Sequence, residues 1–236
     1  MTSYNFLCRE ERNAHEEDLP WELDSMANKS HSKVAAANNA DYRWLYPSVA
    51  GSFSEELYEG QKSFDSSLPS KTMRSEARWI SAHNPESINR QSVNIEDPEI
   101  GGDVSCTWDV ICAKGQPTLL DIDKLAEQFN ILSGKWLMFL SPEKVDILWE
   151  RIAESTRAGT MGDSARVSTR DEGDPVHVIC VYNSDYRSEK EVMRIRDELR
   201  RLGVKARISY KPEIYTCCGI YVHNQWGIPA SRYTST

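Results

Sequence analysis

Six cationic side chains, Lys135, Arg166, Arg170, Lys205, Arg207 and Lys211, are the residues whose spacing suggests an anion-binding site. From Ser164 to Arg170, and again from Lys205 to Lys211, residue types alternate as in a half-buried strand. Successive strand side chains point to opposite sides, so Arg166, Ser168 and Arg170 share one face while Ala165, Val167 and Thr169 share the other. The second run repeats this, with Lys205, Arg207, Ser209 and Lys211 opposite Ala206, Ile208 and Tyr210. Helices must cover the apolar side, which leaves the basic side as the open one. Arginine suits phosphate because its planar fork bonds two oxygens at once. Two readings of such a face compete: a local site for phosphate or RNA, or long cationic side chains that merely keep an exposed sheet face wet.

Aromatic residues add to the first reading. The chain has seven tryptophans, and Trp79, Trp108 and Trp226 fall near expected strand ends or loops; with Tyr215 they are the candidates for stacking a base. Trp136 and Trp149 read as core, the latter on an apolar helix stripe. Signals for catalysis are missing: no G-x-S-x-G, phosphate-binding loop, dinucleotide fingerprint or H-E-x-x-H occurs. The six cysteines at 8, 106, 112, 180, 217 and 218 form no C-x-x-C pair and lack zinc spacing with histidine. A Cys180–His177 pair would need to meet in space, and an inert buried thiol is the commoner outcome. The expectation is a non-enzyme with no catalytic residues, no metal and no cofactor.

The elements that must position these residues are clearest after Lys135. Lys135 to Leu140 reads as a strand; Ser141 and Pro142 then open a helix with Val145, Leu148, Trp149, Ile152 and Ala153 on one stripe. Ser164 to Arg170 and the β-branched run Val176 to Tyr182 form two antiparallel strands around the turn at Asp171 to Pro175. Ser188 and Glu191 pattern as a capping box ahead of Val192, Ile195, Leu199 and Leu202, with Gly203 as the stop. Lys205 to Lys211 is a strand broken by Pro212, and Tyr215 to Val222 supplies another. Upstream, strands are expected at Arg78 to Ala82 and Trp108 to Ala113. A helix capped by Asp121 is expected to end near Gly134, and Pro85 to Gly102 reads as a long loop. The fold class is therefore α+β: a curved antiparallel sheet with about three helices on one face.

The chain has 236 residues and a net charge of −8, so coating nucleic acid through overall positive charge is excluded and any anion site must be local. Residues 1–73 read as an acidic, largely disordered tail and 74–236 as the folded domain. Up to Thr72 there are twelve acidic and seven basic residues, interrupted by aromatic clusters at Trp21 and at Tyr42, Trp44 and Tyr46. These clusters are either isolated hydrophobes or segments that dock on the domain or on a protein partner. No apolar signal region or stretch of 18 apolar residues occurs, which points to the cytoplasm or nucleus, reduced thiols and no membrane partner.

The segments Leu132-Ser-Gly-Lys-Trp-Leu-Met138, Val178-Ile-Cys-Val-Tyr182 and Tyr210-Lys-Pro-Glu-Ile-Tyr-Thr216, with Gly219-Ile-Tyr221 and Asn224-Gln-Trp226, resemble a eukaryotic family named after a basophilic leukaemia expressed protein. The resemblance runs from about Trp79 to Tyr233. It implies a fold like that of translation initiation factor 4E and no established activity. Gly134 to Met138 is similar to that factor's Gly-Arg-Trp-Leu-Ile strand, and Ser164 to Arg170 to its Val-Val-Asn-Val-Arg strand. On this likeness Lys135 and Arg170 match two positions that contact the cap triphosphate. The factor's guanine-reading Trp-Glu pair has no counterpart, because Lys124 to Ser133 contains no tryptophan. The expected function is RNA or nucleotide-phosphate binding; the alternative is a protein-protein adaptor that uses the same fold for docking.

Overall fold

The computed structural model describes residues 67–87 and 98–236. The expected tail thus lies outside the described residues up to residue 66. Residues 67–73, by contrast, are tied to the domain: Ser70 bonds the Asp146 carboxylate through its amide and hydroxyl, and Met73 bridges Arg170.

Six strands form one sheet: β1 (Trp79–His83), β2 (Gly134–Leu140), β3 (Ser164–Ser168), β4 (His177–Asn183), β5 (Ile208–Pro212) and β6 (Tyr233–Ser235). Their spatial order is β1-β3-β4-β2-β5-β6, and every pairing is antiparallel. Five helices are described: α1 (Pro98–Ala113), α2 (Leu119–Gln128), α3 (Pro142–Arg157), α4 (Glu189–Arg201) and α5 (Glu213–Cys217). All five place side chains in one core with Ile80, Trp136, Met138, Val167, Ile179 and Tyr210 of the sheet, so the protein is α+β with its helices on one face. Trp136 donates from its indole N–H to the Val192 carbonyl at 2.9 Å, which fixes α4 on the sheet. Gly203 takes φ +98° just past α4, a left-handed turn that suits glycine and lets the chain return to β5.

Several expectations need correction. Trp108 to Ala113 is helical, and Gly102 lies in the same helix rather than in a loop; residues 88–97 of that expected loop are outside the described residues. The Gly101-Gly102 pair weakens helix propensity, but Val104 and Trp108 sit one turn apart and are both buried, so packing outweighs propensity. The α2 cap is Thr118, not Asp121. The Thr118 hydroxyl and amide both meet the Asp121 carboxylate, a reciprocal capping box one residue triplet earlier than read. That helix ends at Gln128, and Gly134 already belongs to β2. At Ser188 no side-chain cap bond forms. Tyr215 to Val222 is not a strand: Ile214, Tyr215 and Cys218 recur at helical spacing and are buried on α5 and its end. Strand β6, which closes the sheet against β5, carried no sequence signal.

Candidate anion-binding face

The pairing register determines which side chains share the face that carries no helix among the described residues. Lys135 lies opposite both Tyr182 and Lys211, and Arg166 lies opposite Ser81 and Cys180. Strand parity puts Trp79, Ser168, Val178, Phe139, Leu137 and Ser209 on this same side.

The cations are interleaved with rings. The Arg166 guanidinium carbon lies 4.4 Å from the Trp79 ring centre and 5.3 Å from that of Tyr182. The Lys135 ammonium is 5.7 Å from the Tyr182 centroid and 2.6 Å from the Glu213 carboxylate. Lys211 lies 3.5 Å from the Tyr221 centroid. A strip thus runs across the sheet from Trp79 through Arg166, Tyr182 and Lys135 to Lys211 and Tyr221. Such ring contacts favour a cation most where water is thinned out. Lys135 and Lys211 are 3% and 1% exposed, so both charges sit almost wholly out of solvent. Lys135 is held there by Glu213, which α5 delivers just past Pro212.

Cys180 stands in the middle of this strip. Burial pushes its thiol up, and the neighbouring Lys135 and Arg166 only partly counter that, so it stays protonated. His177 projects to the helix side, with Nδ1 2.8 Å from the Ser168 carbonyl, so it and Cys180 occupy opposite faces and form no pair.

The structure brings together only some of the residues singled out from the sequence. Lys135, Arg166, Lys211 and Trp79 share the strip. Arg170 lies beyond the end of β3, exposed, its backbone bonded to Thr72 and Arg74. Lys205 and Arg207 precede β5 in an exposed turn and are likewise off the strand. Trp108 and Tyr215 are buried in the helix-side core, where they pack instead of offering a platform. Trp226 meets Trp108 edge to face at 5.1 Å, and its carbonyl accepts from Gln116. Glu213, Tyr182 and Tyr221 were missed. Tyr182 was legible from the parity of β4 once paired with β2, whereas Glu213 and Tyr221 reach the strip only through the path of α5 and the turn after it.

Among the described residues no group of three His, Cys, Asp or Glu side chains is placed to hold a metal ion, and no helix is long and apolar enough to cross a membrane.

Three solved structures are similar to parts of this chain. Ascaris suum eIF4E-3 with an m2,2,7G cap matches at 17% identity over 44% of this chain and 58% of that one, TM-score 0.34. Schistosome eIF4E complexed with m7GpppG and 4E-BP matches at 15% identity with the same coverage and TM-score. C. elegans eIF4E-3 with the 4E-binding protein Mextli and a cap analog matches at 16% identity over 50% of this chain and 62% of that one, TM-score 0.34. The chain spans less than two thirds of the length of each, and the caps and binding proteins belong to those complexes. Residues 111–219, which run from the end of α1 to just past α5 and include every strip residue but Trp79 and Tyr221, match the family model described as basophilic leukemia-expressed protein Bles03. Across those residues, rather less than half of the chain, the protein is similar to the Bles03 family.

Proposed function

We propose that this protein binds an anionic, nucleotide-type ligand on the helix-free face of its sheet and does not turn it over. One observation supports this above the others: three cations on that face are interleaved with aromatic rings. Rings suit a base and cations suit phosphate. Arg166 is the central recognition residue, since its planar fork bonds phosphate oxygens in pairs while its face lies on Trp79. Lys211 contributes charge, and Lys135, committed to Glu213, mainly shapes the floor.

The test is a tryptophan-fluorescence titration of the full chain with a methylated guanosine cap analogue, a plain nucleoside triphosphate and a short uncapped RNA. Saturable quenching that weakens at least about tenfold in Arg166→Glu supports the reading, a loss typical of a charge-assisted contact. Equal binding by Arg166→Glu, or no binding of any of the three, overturns it.

A second reading is a protein adaptor. Val110, Leu119 and Leu120 at the junction of α1 and α2 are large apolar side chains left exposed, as docking residues often are. A purified stoichiometric partner whose binding survives Leu120→Asp would count against that surface.

A further inference from the structure

Arg200, in the last turn of α4, is a cation whose four hydrogen bonds all go to neutral oxygens. Its Nη1 donates to the Val204 and Ala206 carbonyls at 2.7 and 2.8 Å, and its Nη2 donates to the Ser235 carbonyl at 2.9 Å and the Ser235 hydroxyl at 3.0 Å. Its arginine neighbours on α4 differ: Arg201 pairs with Glu198, and Arg196 lies 2.7 Å from the Asp197 carboxylate. Arg196 stands one turn before Arg200, and like charges four residues apart on a helix repel. Burial and that neighbour together push the Arg200 guanidinium below its ordinary value. The Nε of Arg196 is buried and makes no hydrogen bond. Two guanidiniums one turn apart, one with a spare donor and the other bonded to neutral groups alone, favour an anion beside them.

We propose that Ser235 is a phosphorylation site and that Arg200, backed by Arg196, receives the phosphate. The Ser235 hydroxyl already rests on the guanidinium. Phosphoserine replaces that one neutral oxygen with three strong acceptors and up to about two negative charges, and arginine's planar fork bonds two such oxygens at once. In the transfer, the Ser235 oxygen forms a bond to the γ-phosphorus of ATP and the bond from that phosphorus to its bridging oxygen breaks. ADP leaves, and the hydroxyl proton passes to the base of the kinase. Access is plausible on the fold: β6 has three residues, lies at the edge of the sheet beside β5, and leaves Ser235 half-buried, so few bonds break when it lifts into a kinase cleft. Arg232, three residues before Ser235, supplies the basic residue that an acidic kinase cleft selects. Ser235 lies opposite Ile208, whose side chain is in the helix-side core, so the phosphate stands on the helix side and away from the cation and ring strip. The site is therefore independent of the nucleotide reading, and its effect is to fasten the β5–β6 edge to α4.

The full chain is incubated with ATP and a panel of purified protein kinases that select basic residues, and the modified position is located by mass spectrometry. The same chain is also made with Ser235→phosphoserine by genetic incorporation, and its phosphate is titrated by phosphorus NMR. We expect phosphate on Ser235. The second phosphate pKa, about 6 in a free phosphoserine, should fall by about one unit or more beside the guanidiniums. Arg200→Gln should return it to about 6, and Arg196→Gln should raise it partway. No phosphate on Ser235 from any kinase of the panel overturns the proposal. So does a phosphoserine that titrates at its free value in the folded chain, or one whose pKa is unmoved by Arg200→Gln. If Arg200→Gln does not fold, Arg196→Gln decides, since it leaves the four Arg200 bonds in place; an unchanged phosphate pKa in that variant overturns the proposal and a raised one supports it.

Discussion

Lys135 and Glu213 hold opposite charges almost wholly out of water, and that makes each indispensable to the other. Their attraction offsets two desolvation penalties only while both are present, so Glu213→Ala takes the carboxylate away from a buried ammonium, at a cost of about 3–5 kcal/mol. We expect a large drop in the urea midpoint at unchanged m-value, mostly recovered in Lys135→Met/Glu213→Leu; a midpoint within error of wild type for Glu213→Ala would refute the role assigned to the pair. His83, half-buried at the far end of the same face, has its pKa lowered from 6.5 by burial. In acid the unfolded chain therefore takes up this proton before the folded one does. The contribution is complete above pH 6.5 and is lost as pH falls through the folded value. Unfolding measured at pH 7 and pH 5 should show less acid loss in His83→Gln than in the unsubstituted protein.

Two glycines control how closely the strands approach. A Cβ on Gly134 would run into the Tyr210 ring, whose hydroxyl donates to Asn183, and a Cβ on Gly162 would meet the Tyr182 backbone carbonyl. The ring can tilt, whereas the carbonyl belongs to the β4 ladder and accepts from Asp163. Gly162→Ala should therefore cost more than Gly134→Ala, both within about 1–3 kcal/mol, and only Gly134→Ala should be eased by Tyr210→Ala in a double-mutant cycle. The elements that bind these residues differ in how visible they were. The α3 stripe and the β3–β4 pairing were legible because period, cap and turn agreed locally. By contrast, α1 was read as loop and strand, since its glycine pair and β-type residues oppose the helix that burial of Val104 and Trp108 enforces. The five-residue α5 was hidden in a β-rich run for the same reason.

Over the whole molecule the acidic surplus is uneven: residues 1–66 hold twelve acidic and six basic side chains, while residues 67–236 hold twenty-four and twenty-two. A nearly balanced domain attracts anions only at a local cation cluster, and with Arg166 as the accessible phosphate contact a tenfold rise in salt should weaken single-stranded RNA binding about fivefold. Titration at the two salt levels checks this, and a salt-independent affinity would mean that stacking alone holds the ligand. The α+β class, the one-sided placement of helices and the parity that puts Arg166 and Lys211 on one face follow from the sequence, because hydrophobic period and turn chemistry are properties of short segments. The order β1-β3-β4-β2-β5-β6, the placement of Arg170, Lys205 and Arg207 beyond the strand ends, the burial of Trp108 and Tyr215 and the pairing of Lys135 with Glu213 were decided only in three dimensions. Each depends on contacts between segments far apart in the chain, where burial and charge compensation outweigh local preference.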